Sequence, residues 1–96
     1  MIYLDEKYLK IVKDILREHI PDRKVVVCGS RVTGKIKPYS DLDLCIMGNE
    51  VLSLSKLGYL REAFSESNLP IRVDLVEWAY MSPECQETVS QQSEVI

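Results

Sequence analysis

Two short segments decide how this chain can fold: Cys-Gly-Ser-Arg-Val-Thr-Gly at residues 28–34 and Ser-Asp-Leu-Asp-Leu at residues 40–44. The first ends a β-branched run, Lys24-Val-Val-Val-Cys28, which is typical of a buried strand, and its glycine predicts a sharp turn after that strand. A glycine turn leaves backbone amides uncovered for an anion, and the serine adds a hydroxyl donor. Many strands end in such turns, so this signal alone is weak.

The second segment begins a strand with carboxylates on one side. Residues 41–47 alternate with period two, so the leucine and isoleucine side chains face the core while Asp41 and Asp43 share the other face. Their Cβ atoms are about 7 Å apart, and like charges at that range repel unless a cation lies between them. Asp74, on the non-core face of the strand predicted at residues 71–76, completes a cluster if the two strands are neighbours. The alternative is a solvated strand face; as a metal site, these oxygen ligands suit Mg²⁺.

The rest of the chain supplies helices around these strands. Apolar residues at three- and four-residue spacing predict helices over residues 5–20 and 54–64, and Ser82-Pro83-Glu84 opens another. The expected N-caps are Asp5, Ser53 or Ser55, and Ser82. The order helix, strand, turn, strand, helix, strand, helix predicts an α/β (α+β) fold with a small mixed sheet of about three strands. We expect one domain over residues 1–96, with a fraying polar tail at 91–96.

Composition narrows the function classes. The chain has 96 residues, 46% hydrophobic and 28% charged, which is typical of a globular domain. The net charge of −3 provides no general field for nucleic acid, so direct nucleic-acid binding is not expected. Residues 23–37 nevertheless contain five basic residues and no acid, which favours local phosphate binding. Three widely spaced cysteines and no apolar run of about 20 residues predict a reduced, cytoplasmic protein without a membrane span.

One competing phosphate motif can be excluded. Residues 29–35 match G-x-x-x-x-G-K, the first part of a P-loop. A P-loop requires Ser or Thr at the next position as a magnesium ligand, and this chain has Ile36. A P-loop also requires a long helix after the lysine, which Pro38 prevents because proline ends regular structure. The glycine turn is therefore either a purely structural turn or part of another kind of phosphate site.

The two opening segments together resemble a known signature. Gly29-Ser30, ten intervening residues and Asp41-x-Asp43 are similar to the pattern of the nucleotidyltransferase superfamily that includes DNA polymerase β. Val73-Asp74-Leu75-Val76 resembles the context of that superfamily's third acid. Because the chain is so short, it is most similar to the minimal nucleotidyltransferases, which are commonly paired with a HEPN-domain protein as antitoxin and toxin. The resemblance implies the minimal nucleotidyltransferase fold.

The resemblance also implies roles for individual residues. Gly29, Ser30, Arg31 and Lys35 would bind the phosphates of ATP. Asp41, Asp43 and Asp74 would hold two Mg²⁺ ions, with Asp74 also able to act as general base. The reaction would move AMP from ATP to a tyrosine hydroxyl of a HEPN-type toxin within a hetero-oligomer.

Two other functions remain open at this point. In the first, the chain is a non-catalytic, nucleotide-binding antitoxin that neutralises its HEPN partner by complex formation. In the second, the acceptor is an RNA end or a small molecule. The absence of a wide basic face argues against RNA.

Overall fold

The protein is described by a computed structural model that covers residues 1–37 and 39–96. Helices and strands alternate along the described chain: α1 (Glu6–His19), β1 (Val25–Cys28), α2 (Ser30–Thr33), β2 (Leu42–Ile46), α3 (Leu54–Ser65), β3 (Val73–Glu77), a 3₁₀ turn (Trp78–Tyr80), α4 (Pro83–Gln91) and β4 (Glu94–Val95). The expectation that Pro38 ends regular structure falls outside the described residues. Within the two described ranges, no helix is long and apolar enough to cross a membrane.

The strands form one mixed sheet in the order β3-β2-β1-β4. β1 runs antiparallel to β2 and to β4, whereas β2 and β3 are parallel. The prediction of three strands is wrong by one, because Glu94–Val95 pairs with Val26 and Val27 and the Ile96 amide donates to the Val25 carbonyl. A polar tail can fill the open edge of β1 because strand pairing uses backbone groups. The expectation that the tail frays is therefore wrong at Glu94–Val95, which pair with β1.

The helix starts follow the predicted capping residues. Asp5 accepts a hydrogen bond from the Lys7 amide at the start of α1, and Ser53 caps α3. Ser82 accepts from the Cys85 amide ahead of α4, whose first residue is a proline. Each cap satisfies an amide that has no partner inside its helix, which fixes where the helix begins.

The two faces of the sheet are covered differently. The inner face packs against α1 and α3 in one apolar cluster, whose buried members include Val12, Leu16, Ile20, Val25, Val27, Leu42, Leu44, Ile46, Leu60 and Phe64. The outer face carries the alternate residues of the same strands. There Val89 of α4 packs with Val26 and Cys45 in a smaller cluster. Asp43 and Asp74 lie on the outer face beyond that cluster, both half-buried.

Candidate active site

The strand register brings two of the predicted acids side by side. Asp43 of β2 is paired with Asp74 of β3 in the parallel ladder, and with Cys28 of β1 in the antiparallel one. Asp74 was expected to complete the acidic cluster if its strand lay beside that of Asp43. β3 does lie beside β2. Since Gly29 directly follows Cys28, the site is built where β1 ends and where β2 and β3 begin.

Gly29 is needed for the close approach of the turn to the acid. Its φ of +75° lies in the left-handed region, which residues with a side chain rarely adopt. A Cβ at this position would overlap Oδ2 of Asp43. The missing side chain thus lets the carboxylate lie against the turn, so the anion-binding turn and a cation-binding acid share one site.

The carboxylate of Asp43 lies in an environment that disfavours its negative charge. Burial raises the pKa of Asp43, and the negative charges of Asp74 and Asp41 raise it further. The raised pKa means that the ionised carboxylate is held in an environment that opposes its charge. A cation bound between these groups would relieve that opposition, so the donor set fits a hard divalent ion such as Mg²⁺.

The carboxylates alone do not complete a metal cage. Over residues 1–37 and 39–96, no group of three or more His, Cys, Asp or Glu side chains is arranged to hold a metal ion. Asp74 is instead 3.3 Å from Nε of Arg72, in an ion pair. Mg²⁺ is usually held by one or two carboxylates together with substrate phosphates and water, so this geometry fits a site that a nucleotide triphosphate completes.

The predicted phosphate ligands lie at two ends of α2. Ser30 opens the helix directly after Gly29 and is half-buried. Lys35 follows Gly34, a left-handed C-cap with φ of +86°, and is exposed. In the described part of the chain Lys35 makes no ion pair with a carboxylate, so its charge is available to a ligand.

The side chain of Arg31, which the resemblance assigned to phosphate binding, is buried and bound to backbone carbonyls. It is only 7% exposed and donates from Nη1 to the Tyr3 carbonyl at 2.9 Å and from Nη2 to the Ser40 carbonyl at 2.8 Å. Each terminal nitrogen of the guanidinium is therefore bound to a backbone oxygen. The local sequence could not reveal these hydrogen bonds, because the two acceptors lie 28 and 9 residues away from Arg31 in sequence.

Three further residues at the site were not assigned a role from sequence: Tyr3, Arg72 and Cys28. The ring of Tyr3 packs against Gly34, next to Lys35. Arg72 pairs with Asp74, and here a signal existed, because residues two apart in a strand share a face. Cys28 also contacts the site: its thiol donates weakly to the Asp43 carbonyl, and burial together with Asp43 raises its pKa to about 11, so it stays neutral.

Residues 9–94 match the family described as "Nucleotidyltransferase domain". The chain belongs to this family. The resemblance drawn from Gly29-Ser30 and the aspartates is thereby confirmed. A relative from Haemophilus influenzae, named "Probable protein adenylyltransferase MntA", is 52% identical over 81 residues, which are 84% of this chain and 71% of the relative.

Solved structures agree with the fold of this nucleotidyltransferase. A structure named for a minimal nucleotidyltransferase has a TM-score of 0.74 and 27% identity, covering 98% of each chain, which confirms the predicted fold. A toxin–antitoxin with AMP-PNP has a TM-score of 0.73 and 24% identity, covering 90% of this chain and 69% of that one. A Shewanella oneidensis complex of tri-AMPylated HEPN toxin with MNT antitoxin has a TM-score of 0.69 and 22% identity, covering 96% and 71%.

Proposed function

We propose that this nucleotidyltransferase moves AMP from ATP to a tyrosine hydroxyl of a HEPN-type toxin, in a Mg²⁺-dependent reaction, and so acts as the antitoxin of that partner. The observation that carries the proposal is the register that sets Asp43 beside Asp74 and against Gly29. The relative named as a probable protein adenylyltransferase and the related complex with an AMPylated HEPN toxin support the acceptor class.

Phosphate binding falls to three residues in this proposal. Gly29 and Ser30 offer the uncovered backbone and the hydroxyl of the turn to the β- and γ-phosphates. Lys35, exposed after Gly34, adds a positive charge without a competing carboxylate among the described residues. Hydrogen bonds from an ammonium to phosphate oxygens are short and strong, so this contact orients the triphosphate.

The carboxylates organise the reacting end of the nucleotide. Asp41, Asp43 and Asp74 would hold Mg²⁺ together with phosphate oxygens, with two ions as the expected number. Bound Mg²⁺ would neutralise charge on the triphosphate and lower the pKa of the attacking hydroxyl. Asp43 lies within β2, and its carboxylate abuts Gly29.

Asp74 is the proposed general base. The acceptor oxygen forms a bond to the α-phosphorus, the bond between that phosphorus and the α–β bridging oxygen breaks, and pyrophosphate leaves. The hydroxyl proton passes to Asp74, which requires Arg72 to release this carboxylate. Because Arg72 is 77% exposed, the ion pair is weak, about 0–1 kcal/mol, and a bound substrate can displace it.

An apolar groove supports a second candidate function, neutralisation by complex formation. Leu57, Leu75, Val76, Tyr80 and Met81 line a cavity of about 440 Å³ beside β3. Tyr80 is 76% exposed, and such a surface suits contact with another protein. In this alternative the chain covers its partner, and nucleotide is bound without turnover.

Labelled-ATP transfer separates the two candidates. The protein is incubated with α-³²P-ATP, MgCl₂ and the HEPN protein encoded beside it. We expect label on the partner, its loss in Asp43→Asn, and its retention in Asp14→Asn, which makes the same change on the exposed side of α1. Label that persists in Asp43→Asn would contradict the catalytic role, and a toxin still neutralised by Asp43→Asn would favour the second candidate.

A further inference from the structure

Arg31 joins three segments of the chain that meet at the candidate site. Its Nη1 binds the Tyr3 carbonyl and its Nη2 binds the Ser40 carbonyl, while the Tyr3 amide donates back to the Arg31 carbonyl at 2.7 Å. We call Tyr3, Arg31 and Ser40, with these three hydrogen bonds, the arginine brace. The brace ties the N-terminal segment to α2 and to the residue that precedes Asp41.

The position of Ser40 makes the brace relevant to catalysis. Asp41 is not part of β2, which begins at Leu42, so the ladder does not fix it directly. On one side of Asp41 the Ser40 carbonyl is held by Arg31, and on the other the Leu42 amide donates to the Arg72 carbonyl at 2.9 Å. Asp41 thus lies between two anchored residues. Ser40 also bonds with Lys37 within its own loop, but among the described residues the brace is what links the N-terminal side of Asp41 to a helix.

The chemistry of Arg31 argues against a simple packing role. A buried guanidinium is unfavourable unless its donors are bound, and in the described chain no carboxylate lies within 4 Å of it. Its Nε is buried and has no hydrogen-bond partner among the described residues. An apolar side chain would fill the same space without that penalty, but it could not hold two carbonyls from separate segments in one planar fork.

We propose that Arg31 is a positioning residue that holds Asp41 in place through the Ser40 carbonyl, with its bond to the Tyr3 carbonyl as the second support of the guanidinium. Arg31 acts through the backbone and does not contact the triphosphate. This inference rests on the proposed function for its kinetic readout, but its structural readout does not depend on activity.

Kinetics of Arg31→Lys and Arg31→Gln distinguish positioning from phosphate binding. Neither side chain reproduces the planar fork that reaches the two carbonyls from two separate nitrogens. Both variants should therefore lose about 10²-fold in kcat, the effect of a small misplacement, with the KM for ATP changed less than about two-fold. A phosphate ligand would behave differently: Arg31→Lys would keep most activity, and Arg31→Gln would mainly raise the KM for ATP. That second pattern would overturn the proposal.

Hydrogen–deuterium exchange tests the same idea without turnover. We expect amide exchange across residues 40–43 to be at least about ten-fold faster in Arg31→Lys than in the wild type, because the N-terminal anchor of this segment is lost. The control is a core variant on α1 or at its end, Leu16→Ala or Ile20→Val, chosen to match the Tm of Arg31→Lys. Equal exchange across 40–43 in the control and in Arg31→Lys would overturn the proposal.

The two proposals fail in distinguishable ways. If the wild type transfers no AMP but residues 40–43 loosen in Arg31→Lys, the proposed function is wrong and the brace stands. If the wild type transfers AMP and Arg31→Lys keeps the wild-type kcat, the brace is wrong and the proposed function stands.

Discussion

The inner and outer faces of the sheet are made by the same strands and serve different ends. On the inner face, Leu42, Leu44 and Ile46 are fully buried beneath helices. On the outer face, α4 covers Cys45. Asp43, two residues earlier on the same face, is only half-buried. Stability comes mainly from the inner face, which the helices cover. The part of the outer face that α4 leaves uncovered holds like-charged carboxylates that a cation can bind. Substitutions on the inner face should therefore lower stability more than activity. Substitutions at the acids of the outer face should lower activity more than stability.

Among the substitutions that leave the three aspartates in place, Gly29→Ala should produce the largest loss of activity. The added methyl would overlap Asp43 and would force a side chain into positive φ, so we expect transfer to fall by about 10²-fold or more. The backbone strain should also destabilise the fold by about 1–3 kcal/mol. Labelled-ATP transfer and urea unfolding measure the two effects.

Gly58→Ala is the matched control for that substitution. Gly58 lies within α3 with nothing within 4 Å of an added Cβ, so the change should stabilise the protein by about 0.5–1 kcal/mol and leave transfer unchanged. Similar losses in both glycine variants would show that Gly29 has no special relation to Asp43.

Leu44→Ala tests the inner face next to the outer-face acid. The side chain is completely buried between the sheet and its helices, so its truncation should cost about 2–5 kcal/mol of unfolding free energy. Transfer measured well below the Tm should change little, because the leucine does not reach the site. A specific loss of kcat in fully folded Leu44→Ala would contradict the division between the faces.

Lys35→Ala should weaken nucleotide binding without affecting the fold. An exposed charged contact contributes about 1 kcal/mol, so we expect the KM for ATP to rise about five-fold at an unchanged Tm. Lys37→Ala, which removes a nearby exposed lysine, should alter the KM less. The reverse ranking would assign the phosphate contact to Lys37.

Arg72→Ala should have the smallest effect. Arg72 competes with a cation for Asp74, so its removal should lower the Mg²⁺ concentration needed for half-maximal transfer by about two- to five-fold. A Mg²⁺ titration of the variant measures this shift, and Arg17→Ala on the exposed side of α1 should show none. A higher Mg²⁺ requirement in Arg72→Ala would contradict the competition.

Much of the fold could be predicted because short-range physics determines it. The alternation around Leu42 and Leu44, the cap at Asp5 and the proline at the start of α4 are local signals. β4 could not be predicted, since Glu94–Val95 pairs through its backbone and its side chains carry no strand pattern. An edge strand two residues long has too few positions to show one.

The acidic residues of the candidate site could be predicted from the sequence, whereas the contacts of its basic residues were harder to predict. The spacing of Gly29, Asp41 and Asp43 carried a recognisable pattern, and the parallel pairing of β2 with β3 explains why Asp74 belongs with them. Arg31 was assigned to phosphate binding through the resemblance, as a basic residue directly after Gly29-Ser30. Its burial depends on carbonyls brought together only by the tertiary fold.

Asp43→Asn separates a catalytic acid from a structural one when AMP transfer is measured with Mg²⁺ and thermal stability is measured without it. Burial and its acidic neighbours raise the pKa of Asp43, so the ionised carboxylate opposes folding at neutral pH, and a neutral amide of similar size removes that opposition. We expect AMP transfer to be abolished while the Tm rises above that of the wild type. Retained transfer, or a Tm lowered as in Leu44→Ala, would contradict the claim that this acid is held for catalysis at the expense of stability.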